Sequence, residues 1–294
     1  MKKYIATMAI AVMMSTGASV SAHEGQQAEK QYLPEAGDFA IGVDVVPLFK
    51  AIGGSFKSDE EVPVGGNPFK YDSQFPSPTV SVMGKYMLTD KWGVRVNLGV
   101  RVSSVNNRGY APDDLGLYLD PNSAAQVVDS RKTTRSGGSL MAGAEYRLGS
   151  RRVQGVFGFG VLFGFSTNKT SYHYGNEITE LNRTPSTILT PDTYGRIPAG
   201  YRVTDAYTAG PNFAAGAYGS AGVEWFVAPK IALGAEVNLN IYGVFASKGY
   251  VKSEGYNEAY RQVESRTDLF TPGDRSFNLG TENIGGSLYM TFYF

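Results

Sequence analysis

The chain has 294 residues, and its 27 Lys plus Arg balance 27 Asp plus Glu, so there is no net charge that would attract nucleic acid. It contains no Cys, which excludes a disulfide framework, a thiolate metal site and lipidation on Cys. The 36 Gly, 16 Phe and 19 Tyr are typical of a β-rich chain with close backbone contacts and aromatic anchors.

The N-terminus has the three parts of a secretory signal peptide. Lys2 and Lys3 form a positive start, residues 5–14 are apolar, and small residues at 19–22 precede a predicted cleavage before His23. The apolar stretch is too short to span about 30 Å of hydrocarbon, so we expect export and not a membrane anchor. We predict a signal peptide over residues 1–22 and a short periplasmic segment over residues 23–36.

The rest of the chain is organised by alternation of apolar and polar residues. Residues 92–103 alternate without a break, with Trp92 and five Val or Leu residues on one face and Arg95, Asn97 and Arg101 on the other. Segments with one apolar face recur, and each is a predicted strand. In chain order they are 39–49, 80–88, 92–103, 140–148, 153–165, 213–225, 231–241 and 284–294.

The connections between these strands are short and long in turn. Residues 89–91, 149–152 and 228–230 form tight turns, whereas 50–79, 104–139, 166–212 and 242–283 are long and polar. This rhythm is typical of outer-membrane barrels, which have short periplasmic turns and large extracellular loops. We therefore predict an all-β fold, a closed antiparallel transmembrane β-barrel over residues 37–294. Eight strands are expected, with ten as the alternative if a long loop hides a further pair.

Alternation alone leaves two orientations open. A soluble barrel of the lipocalin type would turn its apolar face inward around a ligand. The membrane orientation is favoured because the polar face consists mostly of small residues, which suits a narrow lumen, and because Trp92 and Trp225 lie near strand ends, where interfacial aromatic girdles belong.

The inward face carries charges close to the short turns. Lys85, Arg95, Glu145 and Glu224 each lie four residues from a turn, so they are expected at one level of the lumen. Because an unpaired buried ion is costly, we predict a mutually paired polar plug, with separate solvated charges lining a pore as the alternative. The full predicted set is Asp44, Lys85, Arg95, Arg101, Glu145, Arg147, Glu224 and Glu236.

The last residues, 286–294 (GSLYMTFYF), resemble the C-terminal signal that hands outer-membrane barrels to the barrel assembly machinery. Its alternating members are Leu288, Met290, Phe292 and Phe294. With this ending and with the hairpin 84–95 (GKYMLTDKWGVR), the chain resembles the OmpA/OmpX-like outer-membrane barrels in the style of Bacteroides and its relatives. OmpA continues into a peptidoglycan-binding domain; nothing follows Phe294 here, so that activity is not expected.

Catalytic signals are weak. His173 has Ser171 two residues before it, but no third group of a triad is positioned by the sequence, so we expect no enzyme, no cofactor and no metal site. Two functions remain. The first is a structural or surface-interaction barrel of the outer membrane, with a plugged lumen and Tyr-rich loops that contact lipid, lipopolysaccharide, another outer-membrane protein or a surface ligand. The alternative is a narrow porin-like channel or a transport barrel for a small solute.

Overall fold

The computed structural model describes residues 32–44, 75, 80–189, 197–279 and 284–294. Within these ranges the chain forms one antiparallel sheet of 11 strands and a short helix, α1 (Asp114–Leu119). The prediction of an all-β antiparallel fold is confirmed. The strands are β1 (Phe39–Asp44), β2 (Val80–Met87), β3 (Trp92–Pro112), β4 (Gln126–Leu148), β5 (Val153–His173), β6 (Tyr201–Ala228), β7 (Ile231–Phe245), β8 (Gly249–Asn257), β9 (Gln262–Thr271), β10 (Arg275–Asn278) and β11 (Ile284–Tyr293).

Eight of these strands close into a ring. Strands β1 to β7 pair in sequence order, and β11 pairs with both β7 and β1. The closing registers place Met290 opposite Val43 on one side and opposite Leu233 on the other. All eight predicted strands are members of this ring, and every member has a hydrogen-bonded neighbour on each side.

The faces of the ring follow the alternation of the sequence. On β3, the side chains of Val94, Val96 and Leu98 are exposed on the outer face, whereas Arg95 and Asn97 are buried inside. The same phase holds around the ring. The apolar face therefore points outward, which is the opposite of the lipocalin-type orientation.

Several strands are longer than the sequence predicted. Residues 104–139, predicted as a loop, are largely the continuation of β3 and β4 around α1, and the predicted loop over residues 166–212 begins with the end of β5. His173 falls within that predicted loop, and this placement beyond the strand is wrong, because His173 is the last residue of β5. The extensions carry polar residues on both faces, so no apolar period marks them in the sequence.

The fourth predicted loop contains a further hairpin. Strands β8 and β9 pair with each other, and β8 pairs with the upper part of β6, so both lie outside the ring. The extra strand pair expected as an alternative therefore exists, but it extends the sheet above the ring and does not enlarge it.

Candidate functional site: a buried charge cluster inside the ring

Six charged side chains meet inside the ring, close to its short turns. Three are cations and three are anions, so the group is electrically neutral, and none is more than 4% exposed. We call this group the charge cluster. Its members are Lys85 on β2, Arg95 on β3, Glu145 and Arg147 on β4, Glu224 on β6 and Glu236 on β7.

Glu224 is the most heavily contacted anion of the charge cluster. Its Oε1 accepts hydrogen bonds from Lys85 Nζ at 2.5 Å and from the Tyr289 hydroxyl at 3.1 Å. Its Oε2 accepts from Arg147 Nη2 and, at 3.0 Å, from the Tyr293 hydroxyl. A fully buried carboxylate thus has four donors from β2, β4 and β11, which offsets its loss of hydration.

Arg95 crosses the ring to the opposite strands. Its Nη1 lies 2.6 Å from Glu236 Oε2, and its Nη2 donates to Ser220 Oγ at 3.1 Å. Gly158 on β5 makes room for this arm, since a Cβ there would lie 3.3 Å from Arg95 Nη2 and would collide with Ser220 Oγ. The absence of a side chain at Gly158 therefore serves packing inside the ring.

Glu145 lies between the two cations that contact Glu224 and the one cation that contacts Glu236. Its carboxylate lies 2.7 Å from Lys85 Nζ, 3.2 Å from Arg147 Nη2 and 3.7 Å from Arg95 Nη1. It is thus within ion-pair distance of all three cations. Removing its charge alone would leave three buried cations facing two carboxylates.

Apolar layers cover the charge cluster on both sides. Toward the turns, Met87, Phe226 and Tyr293 are buried, and Tyr32 and Leu33 pack against this layer from outside the ring. Toward the long loops, a second apolar layer includes residues of β4, β5, β6 and β7 and one loop residue; its members are Phe75, Met141, Leu162, Ala214, Tyr218, Tyr242 and Val244. Side chains of these two apolar layers therefore lie on either side of the charge cluster.

Arg101, a member of the predicted set, lies apart from the charge cluster. Arg101 is on β3, six residues beyond Arg95, which places it about 20 Å further along the strand, where it is half-buried. The backbone of Asp44 pairs with Tyr289, but its side chain lies outside the described residues. The structure thus brings six of the eight predicted charges together.

The tyrosines of β11 were missed by the sequence reasoning. Tyr289 and Tyr293 are buried inside the ring, whereas Leu288 and Phe294 of the predicted assembly signal are exposed and Met290 and Phe292 are half-buried. The signal was available, because an outward phase for the even-numbered residues implies an inward phase for the odd-numbered ones. Their hydrogen bonds to Glu224 depend on closure of the ring and have no signature in the sequence.

No helix within the described ranges is both long enough and apolar enough to cross a membrane. Across the same residues, no three His, Asp or Glu side chains are grouped in a way that could hold a metal ion. His173 is exposed at the end of β5, opposite Ser130 in the β4–β5 register.

No protein-family model matches the chain, and no curated protein matches it. Among solved structures, the chain is similar to the outer membrane protein OprG from Pseudomonas aeruginosa, with 12% sequence identity and a TM-score of 0.29. The match covers 90% of this chain and 98% of that one. The function is therefore inferred from the chain's own geometry.

Proposed function

We propose that the chain is an outer-membrane β-barrel with a structural or surface-interaction role, in which the lumen is plugged and the extracellular loops form a binding surface. The outward apolar face of the closed ring is the observation that carries this proposal. A soluble protein rarely exposes a continuous apolar belt, because such a surface has no favourable contact with water. The hydrocarbon of a lipid bilayer would provide favourable contacts for such a belt.

The height of this belt matches a membrane. On β6, outward side chains run from Phe213 to Trp225, twelve residues apart. At about 3.3 Å per residue and a strand tilt of about 40°, this corresponds to roughly 30 Å across the membrane. Outer-membrane barrels carry an apolar band of about 25 Å between aromatic girdles.

Aromatic side chains border the belt at both ends. Near the short turns lies the lower aromatic rim, formed by exposed rings of five strand-end residues: Phe39, Tyr86, Trp92, Trp225 and Phe294. Near the long loops lies the upper aromatic rim, in which Phe165 pairs with Phe213 and Phe213 pairs with Phe245. Aromatic rings at these two levels are typical of membrane–water interfaces.

The charge cluster supports a closed lumen. Its charges compensate one another, and apolar layers lie on both sides, so an ion entering from either end would meet packed side chains. The alternative of a narrow channel is supported by the side-chain amide of Asn97, the Tyr218 hydroxyl and Asn240 Oδ1. These buried polar atoms have no hydrogen-bond partner among the described residues, so they could contact water or a solute.

The extracellular end offers an ordered surface for a partner. The buried carboxylate of Asp129 accepts hydrogen bonds from the amides of Gly175 and Ile188 and from the Thr187 hydroxyl, which holds the segment after β5 against β4. Next to this hydrogen-bonded segment, apolar side chains of α1 and the neighbouring loop are exposed to solvent; they are Leu115, Tyr118, Leu119 and Leu181.

Partners expected from the sequence, namely lipopolysaccharide, the assembly machinery and a surface ligand, remain proposals, as do the signal peptide and the OmpA-like kinship.

Single-channel recording in planar bilayers tests the proposal. The refolded wild-type protein should be silent, whereas Glu145→Gln should open the lumen, because three cations then face two carboxylates and repel one another. The matched control is Glu258→Gln, which alters an exposed ion pair with Arg183. Steady openings in the wild type would contradict the plug and favour the channel.

A further inference from the structure

The outer surface changes from apolar to basic just above the upper aromatic rim. Strands β4 and β5 pair in unbroken register through this region, with Thr134 opposite Lys169 and Lys132 opposite Ser171. Lys169 therefore lies on the same outward face as Phe165, four residues further along β5. That separation is about 13 Å along the strand and roughly 10 Å above the apolar belt.

Three lysines lie on this face, on β4, β5 and β8. Lys169 Nζ lies 3.1 Å from Asp205 Oδ1, which also accepts a 2.7 Å hydrogen bond from Ser171 Oγ. Lys252 on β8 is directly opposite Asp205, and Lys132 is directly opposite Ser171. Neighbours of this kind have Cβ atoms about 5 Å apart, and diagonal ones about 7–8 Å. We call Lys132, Lys169 and Lys252 the basic band.

The basic band carries an excess of positive charge. Asp205 compensates Lys169, while neither Lys132 nor Lys252 takes part in an ion pair within the described part of the chain. Hydrogen bonds with Tyr207 and Asp205 raise the pKa of Lys169, so this ammonium group stays charged at neutral pH. Lys132 and Lys252 are both exposed to solvent.

A pair of tyrosines accompanies the lysines. The rings of Tyr207 and Tyr250 stack with their centroids 4.4 Å apart, and Lys169 Nζ lies 5.0 Å from the centroid of Tyr207. Tyrosine has an apolar ring and a polar hydroxyl, and it is therefore enriched where the hydrocarbon meets the headgroups. The position of these rings agrees with the level estimated from the strand geometry.

We propose that the basic band binds the phosphate groups of a phosphorylated glycolipid in the outer leaflet. The inference rests on the proposed membrane orientation, and it names a site for the lipid partner. A lipid whose acyl chains lie along Phe165 and Phe213 would hold its headgroup at the height of the lysines. Ammonium groups bind phosphate oxygens through charge-assisted hydrogen bonds. Binding of an acidic protein partner would not require that the lysines lie immediately above the apolar belt, whereas binding of a lipid headgroup does.

Native mass spectrometry of the refolded protein in detergent micelles can test this site. The probe is phosphorylated lipid A, compared with the same lipid after phosphatase treatment. The variant Lys132→Gln/Lys252→Gln removes two charges from the basic band and leaves the Lys169–Asp205 pair intact. The matched control is Lys91→Gln/Arg151→Gln, which removes two exposed charges at the short turns on the opposite rim.

The wild type and the control should bind phosphorylated lipid A about tenfold more tightly than the Lys132→Gln/Lys252→Gln variant does, and phosphatase treatment should abolish that difference. Equal binding by all three proteins would overturn the site. Displacement of the lipid by an equal concentration of inorganic phosphate would show that acyl chains play no part, and would overturn the lipid assignment. Heat-modifiable migration on gels shows separately whether each protein is a folded barrel, so failure of the proposed function is distinguishable from failure of this site.

Discussion

Neutralising Glu224 should destabilise the ring of strands more than any exposed charge change. The carboxylate is fully buried and accepts hydrogen bonds from Lys85, Arg147, Tyr289 and Tyr293. In Glu224→Gln the shape is nearly preserved, but the interior holds three cations and two anions, and the new amide group presents N–H donors to other donors. Breaking a buried ion pair from one side typically costs about 3–5 kcal/mol, and we expect a loss of that size in the free energy of unfolding.

The two tryptophans of the chain provide the assay. Trp92 and Trp225 are 43% and 46% exposed on the outer face near the lower aromatic rim. In the proposed membrane orientation, their fluorescence therefore reports transfer from lipid to water. Urea titrations of protein refolded in lipid vesicles give the free energy of unfolding for each variant. The control is Glu258→Gln, whose ion pair with Arg183 is exposed and should contribute about 1 kcal/mol or less.

A second substitution separates charge imbalance from loss of shape. Adding Lys85→Met to Glu224→Gln restores neutrality, and we expect the double variant to recover about 2 kcal/mol relative to Glu224→Gln alone. If Glu224→Gln instead unfolds with the same free energy as Glu258→Gln, the lumen charges are solvated. The plug would then be refuted, and the interior would have to be water-filled.

Two further predictions concern the belt and the loops. Phe159→Arg, at mid-height of β5, should lower the free energy of unfolding in vesicles by about 2–4 kcal/mol, whereas Thr167→Arg, above the upper aromatic rim, should change it by about 1 kcal/mol or less; equal effects would contradict the membrane orientation. Burial opposes ionisation of Asp114, but hydrogen bonds from the Ser186 amide and the Asn182 side chain lower its pKa below the ordinary value. Since the folded pKa is the lower one, this contact stabilises the loop above a pH of about 3.9 and is lost as the pH falls through the folded pKa. The protection factor of the Ser186 amide against hydrogen exchange should fall there in the wild type, and in Asp114→Asn it should be lower already at neutral pH.

The faces of the strands could be predicted because they depend on a local property. A strand turns successive side chains to opposite sides, so the run from Trp92 to Val100 determines both a strand and its apolar face without reference to any partner. The same rule assigned Lys85, Arg95 and Glu145 to the interior. The lengths of the strands were harder to predict from the sequence, because the extensions of β3 and β4 carry polar residues on both faces and lack the two-residue period that marks a strand.

The direction of the apolar face and the pairing of the charges required the closed ring. Arg95 and Glu236 are separated by 141 residues, and their contact exists only because β3 faces β7 across the ring. Arg101 has the inward phase and the charge of a cluster member, yet it lies six residues along the strand from Arg95.

By itself, the sequence determined an all-β chain, its eight ring strands and which side chains share a face, since these follow from a two-residue period and from the spacing of short turns. Only the tertiary structure decided which of those inward side chains meet, that Tyr289 and Tyr293 complete the shell around Glu224, and that β8 and β9 extend the sheet above the ring. The reason is physical. The phase of a strand depends on its own residues, but contacts across the ring depend on register and closure, which are set by all the strands together.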